Sequence, residues 1–253
     1  MTELKFQTLP RFRTMPKPVI LCLHGRGANA EIFEIQSMPL IRVLEKRFEC
    51  RFVDAPSECE AGPDILPIFE DEAPFYSWLS NNYPSRTTPS YEEIEETIQL
   101  LNEVESSTPN IVGILGFSQD AAVGLGLLLR DQRRRMMGLP CIGYRFGVFA
   151  GEVRLPIFFY RESIDSGAST PLMENDGRRL ILGLNTPTIH ATGRFDTLAA
   201  EGTPLSKIEI GAQATTFTYS GGHEMPKDSR DVQYISHWID GVYSKYSPIR
   251  KLS

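Results

Sequence analysis

Positive charge is in short supply in this chain. Lys and Arg total 26 against 32 Asp and Glu, a formal net charge of −6, whereas a protein that grips a phosphate backbone needs a basic face. The one basic cluster, Arg130 to Arg135, reads as the solvated, dipole-favoured carboxyl end of a helix. Cysteine is scarce as well. Cys22, Cys50, Cys59 and Cys141 are widely spaced, with no C-x-x-C pair and no Cys/His spacing suited to zinc. Cys22, Cys50 and Cys141 lie in or beside apolar segments and are expected to be small buried hydrophobes. No apolar run is long enough to span a bilayer, and Met1 to Lys17 lacks the apolar core of a secretory signal. The expectation is a protein of a reducing, cytoplasmic compartment.

Glycine spacing excludes a further class. Gly25-x-Gly27 is followed neither by a third glycine nor by a Gly-Lys-Ser/Thr pattern, so it does not form a phosphate cradle. With no ligand cluster for metal catalysis either, no cofactor and no metal are expected.

Apolar residues make up 41% of the 253, which is ordinary for one α/β domain. Val19 to Leu23 is an apolar run that reads as a central parallel strand. It ends in the Gly-rich turn His24-Gly-Arg-Gly-Ala-Asn29, with Asn29 placed to cap a helix that Pro39 should break or kink. Cys50 to Val53 reads as the next strand. From Pro56 to Ser90 periodicity collapses: this insert carries six prolines, the acids Glu70 to Glu72, and the aromatics Phe69, Phe75, Tyr76, Trp78 and Tyr83. Its length points to a functional segment and its aromatics argue against disorder, so it reads as a cover over a site, with Phe75, Tyr76 and Trp78 as the covering side chains.

Tyr91 to Val104 is an amphipathic helix with Ile94, Ile98 and Leu101 on one face. Strands are expected at Ile111–Leu115, within Gly143–Ala150, at Pro187–Ala191 and at Ala214–Tyr219, and a last helix over Asp228–Tyr246. Strands alternating with helices imply a mostly parallel sheet covered on both faces. With no repeat or linker to divide it, residues 1–253 read as a single domain with an insert at about 56–90.

The chemistry gathers where strands end. Between Leu115 and Ala121 only Gly116-Phe-Ser-Gln-Asp120 is available to turn strand into helix. That arrangement is a nucleophile elbow, which exposes a serine hydroxyl on a strained turn. A serine is a weak nucleophile and needs a base, and the base needs a carboxylate to fix its tautomer. Asp196 after one late strand and His223 in a Gly-Gly-His loop after another supply both, in the order Ser118, Asp196, His223 expected of an α/β-hydrolase. Each has a plainer reading: Ser118 as a helix cap, Asp196 as the cap of a helix over 197–201. The oxyanion would take backbone N–H donors from Gln119 and from Arg26, with Gly27 as the alternative to Arg26. His24 is expected to shape its loop, His190 to be a satisfied core histidine and His237 to be structural.

These stretches resemble the fungal serine hydrolase family, small α/β-hydrolases without a separate cap domain. The resemblance rests on Ile20-Leu-Cys-Leu-His-Gly25, Phe52-Val-Asp-Ala-Pro56, Gly116-Phe-Ser-Gln119, Pro187 to Gly193 with Asp196, and Ser220-Gly-Gly-His223 with Pro226. It implies a Ser118, Asp196, His223 triad and esterase or thioesterase activity. It further implies a polyketide-type acyl substrate in fungal secondary metabolism, with a polyketide synthase carrier protein as a possible source of that substrate.

One residue departs from the pattern. Asp120 stands where glycine is expected, and a carboxylate there is a potential modifier of the site: it would oppose the developing oxyanion and could act as an extra acid or base. It motivates the alternative of a fold repurposed for cyclisation, dehydration or isomerisation of a polyketide intermediate. A non-enzymatic binding module is a third reading, disfavoured by the intact Ser/Asp/His set.

Overall fold

The computed structural model describes residues 16–79, 90–118, 120–151, 180–181, 183–198 and 208–246. Gln119, residues 80–89 of the insert and the Asp120 side chain, all singled out by the sequence, lie outside the described residues.

The chain begins with β1 (Val19–Leu23), α1 (Ala30–Leu44) and β2 (Glu49–Val53). A short hairpin follows, β3 (Ser57–Cys59) and β4 (Phe75–Ser77), with a 3-10 turn at Glu70–Glu72 between its strands. Next come α2 (Tyr91–Ser107), β5 (Ile111–Phe117), α3 (Asp120–Met136), β6 (Phe146–Ala150), the two-residue β7 (Leu180–Ile181), β8 (Thr188–Gly193), β9 (Ile208–Glu209), β10 (Ala214–Tyr219) and α4 (Ser229–Tyr246). Six strands form one sheet in the order β10-β8-β6-β5-β1-β2, every neighbouring pair parallel. β7 and β9 pair separately.

Strand period decides which face each core residue serves. In β1, Val19, Leu21 and Leu23 pack with Ile94, Ile98 and Leu101 of α2 and Val123 and Leu127 of α3. Ile20 and Cys22 point the other way, onto Phe33 and Leu40 of α1 and Val232, Ile235 and Ile239 of α4. Side chains alternate across a strand, so a fully apolar run feeds two cores at once, and five consecutive buried residues in β1 are what a two-sided sheet requires. Small residues let α3 close on the sheet: a Cβ on Gly124 would lie 2.4 Å from Phe149 Cε1.

The helix ends follow their caps. Asn29 Oδ1 accepts from Ile32 N–H at 2.9 Å, and Ser90 and Glu93 form a reciprocal capping box at the start of α2. α1 does not stop at Pro39 but runs through to Leu44. The proline lacks the N–H that would bond the Ile35 carbonyl, and that turn of the helix faces the cavity described below, where Ile35, Gln36 and Pro39 all contribute to the wall. The basic run behaves as its position predicts in Arg133 to Arg135, which occupy the last turn of α3, whereas Arg130 is half-buried and paired with Glu105. Cys22 is buried as expected, but Cys141 is exposed, in the loop between α3 and β6. No helix among the described residues is long and apolar enough to cross a membrane.

Candidate active site

In an open parallel sheet, side chains converge outside the carboxyl ends of the strands, at the point where strand order reverses. Here that point lies between β1, which leads outward to β2, and β5, which leads the other way. The β1 loop and Ser118 therefore emerge side by side. Gly25 makes the approach possible: a Cβ there would sit 3.1 Å from Phe117 Cδ1 and 3.4 Å from the Ser118 Cβ.

Ser118 has φ 61, a left-handed conformation that a non-glycine residue adopts at a cost. Its N–H donates to the Ala150 carbonyl at 2.8 Å and its carbonyl accepts from Ala121 N–H at 3.3 Å, so β6 on one side and the first turn of α3 on the other hold the strained turn. The hydroxyl is thereby turned away from the sheet towards His223. Ser118 Oγ donates to His223 Nε2 at 2.9 Å, and His223 Nδ1–H donates to Asp196 Oδ2 at 3.0 Å.

The acid is fixed from both sides. Its side chain is fully buried, and its second oxygen, Oδ1, accepts from Leu198 N–H at 3.0 Å. Asp196 thus caps its own turn and meets the histidine with the same carboxylate, so the two readings of this residue are compatible. The loops carrying Asp196 and His223 are laced together: Arg194 N–H donates to the Tyr219 carbonyl and Phe195 N–H to the Gly221 carbonyl. A Cβ on Gly193 would lie 2.1 Å from the Gly222 carbonyl oxygen, which is why glycines stand at this crossing. The Tyr219 hydroxyl donates to the Glu224 carbonyl, tightening the His223 loop from within, and burial of that phenol pushes its pKa up.

The β1 loop, from which an oxyanion donor is expected, is braced by the insert. Gly27 N–H donates to the Tyr76 carbonyl at 2.9 Å and Tyr76 N–H to the Ala28 carbonyl at 2.8 Å. Gly27 is therefore committed, and Arg26 is the loop residue whose backbone remains a candidate donor. Gly27 has φ 74, and its Cβ would fall 2.0 Å from Gly62 N. His24 shapes the loop as expected. It is fully buried, its Nδ1–H donates to the Gly25 carbonyl at 2.9 Å, and its Nε2 accepts from Ala55 N–H at 3.0 Å. Burial holds its pKa below the usual imidazole value, which keeps the ring neutral.

A cavity of about 810 Å³ opens over Ser118 and His223. Ile35 and Pro39 of α1, Ile65, Ile68 and Phe69 of the insert, and Met225 supply most of its apolar wall. The insert does cover the site, but through other side chains than the aromatics first singled out. Phe75, Tyr76 and Trp78 do not line the cavity. Tyr76 belongs to β4, whose backbone pairs with the β1 loop at Ala28. Trp78 is fully buried and donates its indole N–H to the His24 carbonyl at 3.0 Å. Phe75 packs behind the wall with Ile32, Ile65 and Phe69. The aromatics are the struts of the cover, because large flat side chains gain most by burial.

Sequence reasoning also missed Gly151, at the end of β6. Its φ is 86, and a Cβ would lie 3.3 Å from His223 Cε1 and 3.2 Å from Ser118 N, so this turn passes beneath the Ser–His contact. The available signal was a glycine immediately after a predicted strand. His190 is buried, as expected of a core histidine, but is only half satisfied: Nε2 meets Thr188 Oγ1 at 2.9 Å while Nδ1 finds no partner among the described residues. His237 is exposed on α4 and belongs to no core cluster.

A strained serine with its hydroxyl on an imidazole, itself held by a buried carboxylate, is the equipment of nucleophilic acyl transfer. Residues 14–235 match the Serine hydrolase (FSH1) family. The chain belongs to this serine hydrolase family. Among its relatives, a probable esterase of Aspergillus terreus is 30% identical over 239 residues, covering 92% of this chain and 91% of that protein. The dihydromonacolin L-[lovastatin nonaketide synthase] thioesterase of the same fungus is 31% identical over 248 residues, covering 90% and 93%. Of solved structures, the acyl-protein thioesterase 2 of Zea mays superposes with a TM-score of 0.54 at 17% identity, covering 90% of this chain and 95% of that one. The fold is that of an α/β-hydrolase, and the chain is a hydrolase of the serine class.

Proposed function

We propose that this protein is an esterase or thioesterase that cleaves a polyketide-type acyl group through an acyl-enzyme on Ser118. The observation that carries the reading is the pair of contacts from Ser118 Oγ to His223 Nε2 (2.9 Å) and from His223 Nδ1 to Asp196 Oδ2 (3.0 Å). His223 is the general base: it takes the Ser118 proton as Oγ attacks the acyl carbonyl, then returns it to the departing alcohol or thiol. Asp196 keeps the proton of neutral His223 on Nδ1 and stabilises the imidazolium that forms. The backbone N–H of Arg26, with that of Gln119, receives the oxyanion. Water then repeats the sequence on the acyl-enzyme and releases the acid.

The size and apolar walls of the cavity suit an acyl chain of polyketide length, and the two fungal relatives named above support an ester or thioester as the scissile bond. A carrier protein of a polyketide synthase is the proposed donor of that thioester. The chain is read as one domain acting in the cytoplasm, a setting consistent with four cysteines that remain free thiols.

Hydrolysis of an acyl thioester in ¹⁸O-labelled water tests the proposal. The expected product is the free acid carrying one label, formed by the wild type and lost in Ser118→Ala. A product of unchanged or water-depleted mass would replace hydrolysis with the cyclising, dehydrating or isomerising chemistry that Asp120 suggested.

A further inference from the structure

The stretch of cavity wall built by α1 is apolar except at one residue. Ile35, Gln36 and Pro39 line it, and Gln36 is the polar one. At about 100° per residue, Gln36 stands between Pro39, about 60° away on one side, and Leu40, about 40° away on the other. Leu40 is buried against the sheet, whereas Ile35 lies beyond Pro39 on the solvent side and is 50% exposed. Gln36 is half-buried and so occupies the inner side of this wall, facing the cavity rather than bulk water. Its amide makes no hydrogen bond among the described residues, yet it is not stranded in the interior as Arg26 Nε and His190 Nδ1 are. An amide so placed meets water through the cavity. Elsewhere in the lining, Lys227 and Glu224 already satisfy each other. From the cap at Asn29, a rise of about 1.5 Å per residue puts Gln36 roughly 10 Å along the helix axis from the β1 loop that adjoins Ser118.

We propose that Gln36 is a specificity-determining residue that reads a hydroxyl or keto oxygen on the distal part of the acyl chain. The inference rests on the acyl-transfer reading above and names its substrate class: chains oxygenated far from the scissile carbonyl, in preference to plain alkyl ones. An extended chain advances about 1.2 Å per bond, so roughly 10 Å corresponds to about eight bonds. The amide suits either kind of oxygen, since its NH2 donates to a keto group or a hydroxyl and its carbonyl accepts from a hydroxyl. A plain alkyl chain laid along Ile35 and Pro39 strips water from the amide and returns nothing. Discrimination therefore arises from that unmet polar group as well as from the hydrogen bond that the distal oxygen makes.

The test compares kcat/KM for the N-acetylcysteamine thioesters of decanoic, 3-hydroxydecanoic and 8-hydroxydecanoic acid. The wild type should favour the 8-hydroxy chain over the plain one by roughly three- to tenfold, the worth of one neutral hydrogen bond. The 3-hydroxy group should bring no comparable gain. Gln36→Met, which keeps the length of the side chain without a polar end, and Gln36→Leu should each reduce the 8-hydroxy preference to one or below. Thermal unfolding of each variant checks that it folds, and the ratio is read within each protein, so a general fall in rate does not enter. A wild-type ratio near one, an equal preference for the 3-hydroxy chain, or a preference that either folded variant leaves intact overturns the proposal while hydrolysis itself stands. Failure to hydrolyse any of the three thioesters in a Ser118-dependent way overturns the acyl-transfer reading and this inference with it.

Discussion

Asp196 illustrates how much a single carboxylate is asked to do at this site. One oxygen holds the tautomer of His223 and the other closes the turn through Leu198 N–H. An amide in its place can still accept at one atom and keep the turn, but it removes the charge that stabilises the imidazolium. Asp196→Asn is therefore expected to fold normally and to lose roughly 10⁴-fold in kcat, a drop of the size seen when a triad aspartate becomes asparagine. Steady-state kinetics beside a far-UV spectrum check it. That Ser118, His223 and Asp196 would come together was legible at this scale because each lies just after a strand and in the chain order of an α/β-hydrolase. Gly151 was not, since its role is visible only as the space that a Cβ would take from Ser118 N and His223 Cε1.

At the scale of elements, the insert and the first loop act as one body. Asn29 caps α1 through Oδ1, while its Nδ2 donates to the carbonyls of Glu72 and Pro74 at 2.7 and 3.2 Å. Gly62 N–H reaches the Gly27 carbonyl, and β4 pairs with Ala28. Asn29→Ala removes a helix cap and the fastening of the cavity wall together. It is expected to cost about 1–2 kcal/mol of stability from the cap, read by urea unfolding, and to raise KM for long-chain substrates more than it lowers kcat. The sequence revealed the insert by its loss of periodicity, and its aromatics argued against disorder. It could not tell which aromatics face the substrate, because burial of Trp78 and Phe75 depends on partners such as His24 and Ile32 that are distant in the chain. The same limit explains Pro39. A lone proline signals a break in a helix, but tertiary packing carries α1 through it.

For the molecule as a whole, the parallel sheet buries a histidine that cannot easily be charged. His190 lies in β8 beside the Phe149 ring, and burial lowers its pKa to about 3 from the ordinary 6.5. The folded protein keeps this ring neutral, whereas the unfolded chain takes up a proton once the pH drops below about 6.5. The contribution to stability is therefore complete above that pH and is lost as the pH falls towards about 3, by up to roughly 1.4 kcal/mol per pH unit. In urea titrations between pH 7 and 4, His190→Gln should show a shallower loss of stability than the wild type, and equal slopes would contradict the assignment. Whereas the short pairs β3–β4 and β7–β9 carried no such signal, the six strands of the main sheet, the order of the helices and the two-sided sheet were legible from apolar runs and caps. The place where the strand order reverses was not, because it depends on which strands neighbour each other, and that pairing is what brings the β1 loop to Ser118.

The central claim is that Ser118 is a nucleophile activated by His223. Labelling with a fluorophosphonate probe, followed by intact and peptide mass spectrometry, tests it most directly. One adduct is expected, on Ser118, formed rapidly by the wild type, strongly slowed in His223→Ala and absent in Ser118→Ala. A folded wild-type protein that remains unlabelled, or one that carries the adduct on another residue, would contradict it.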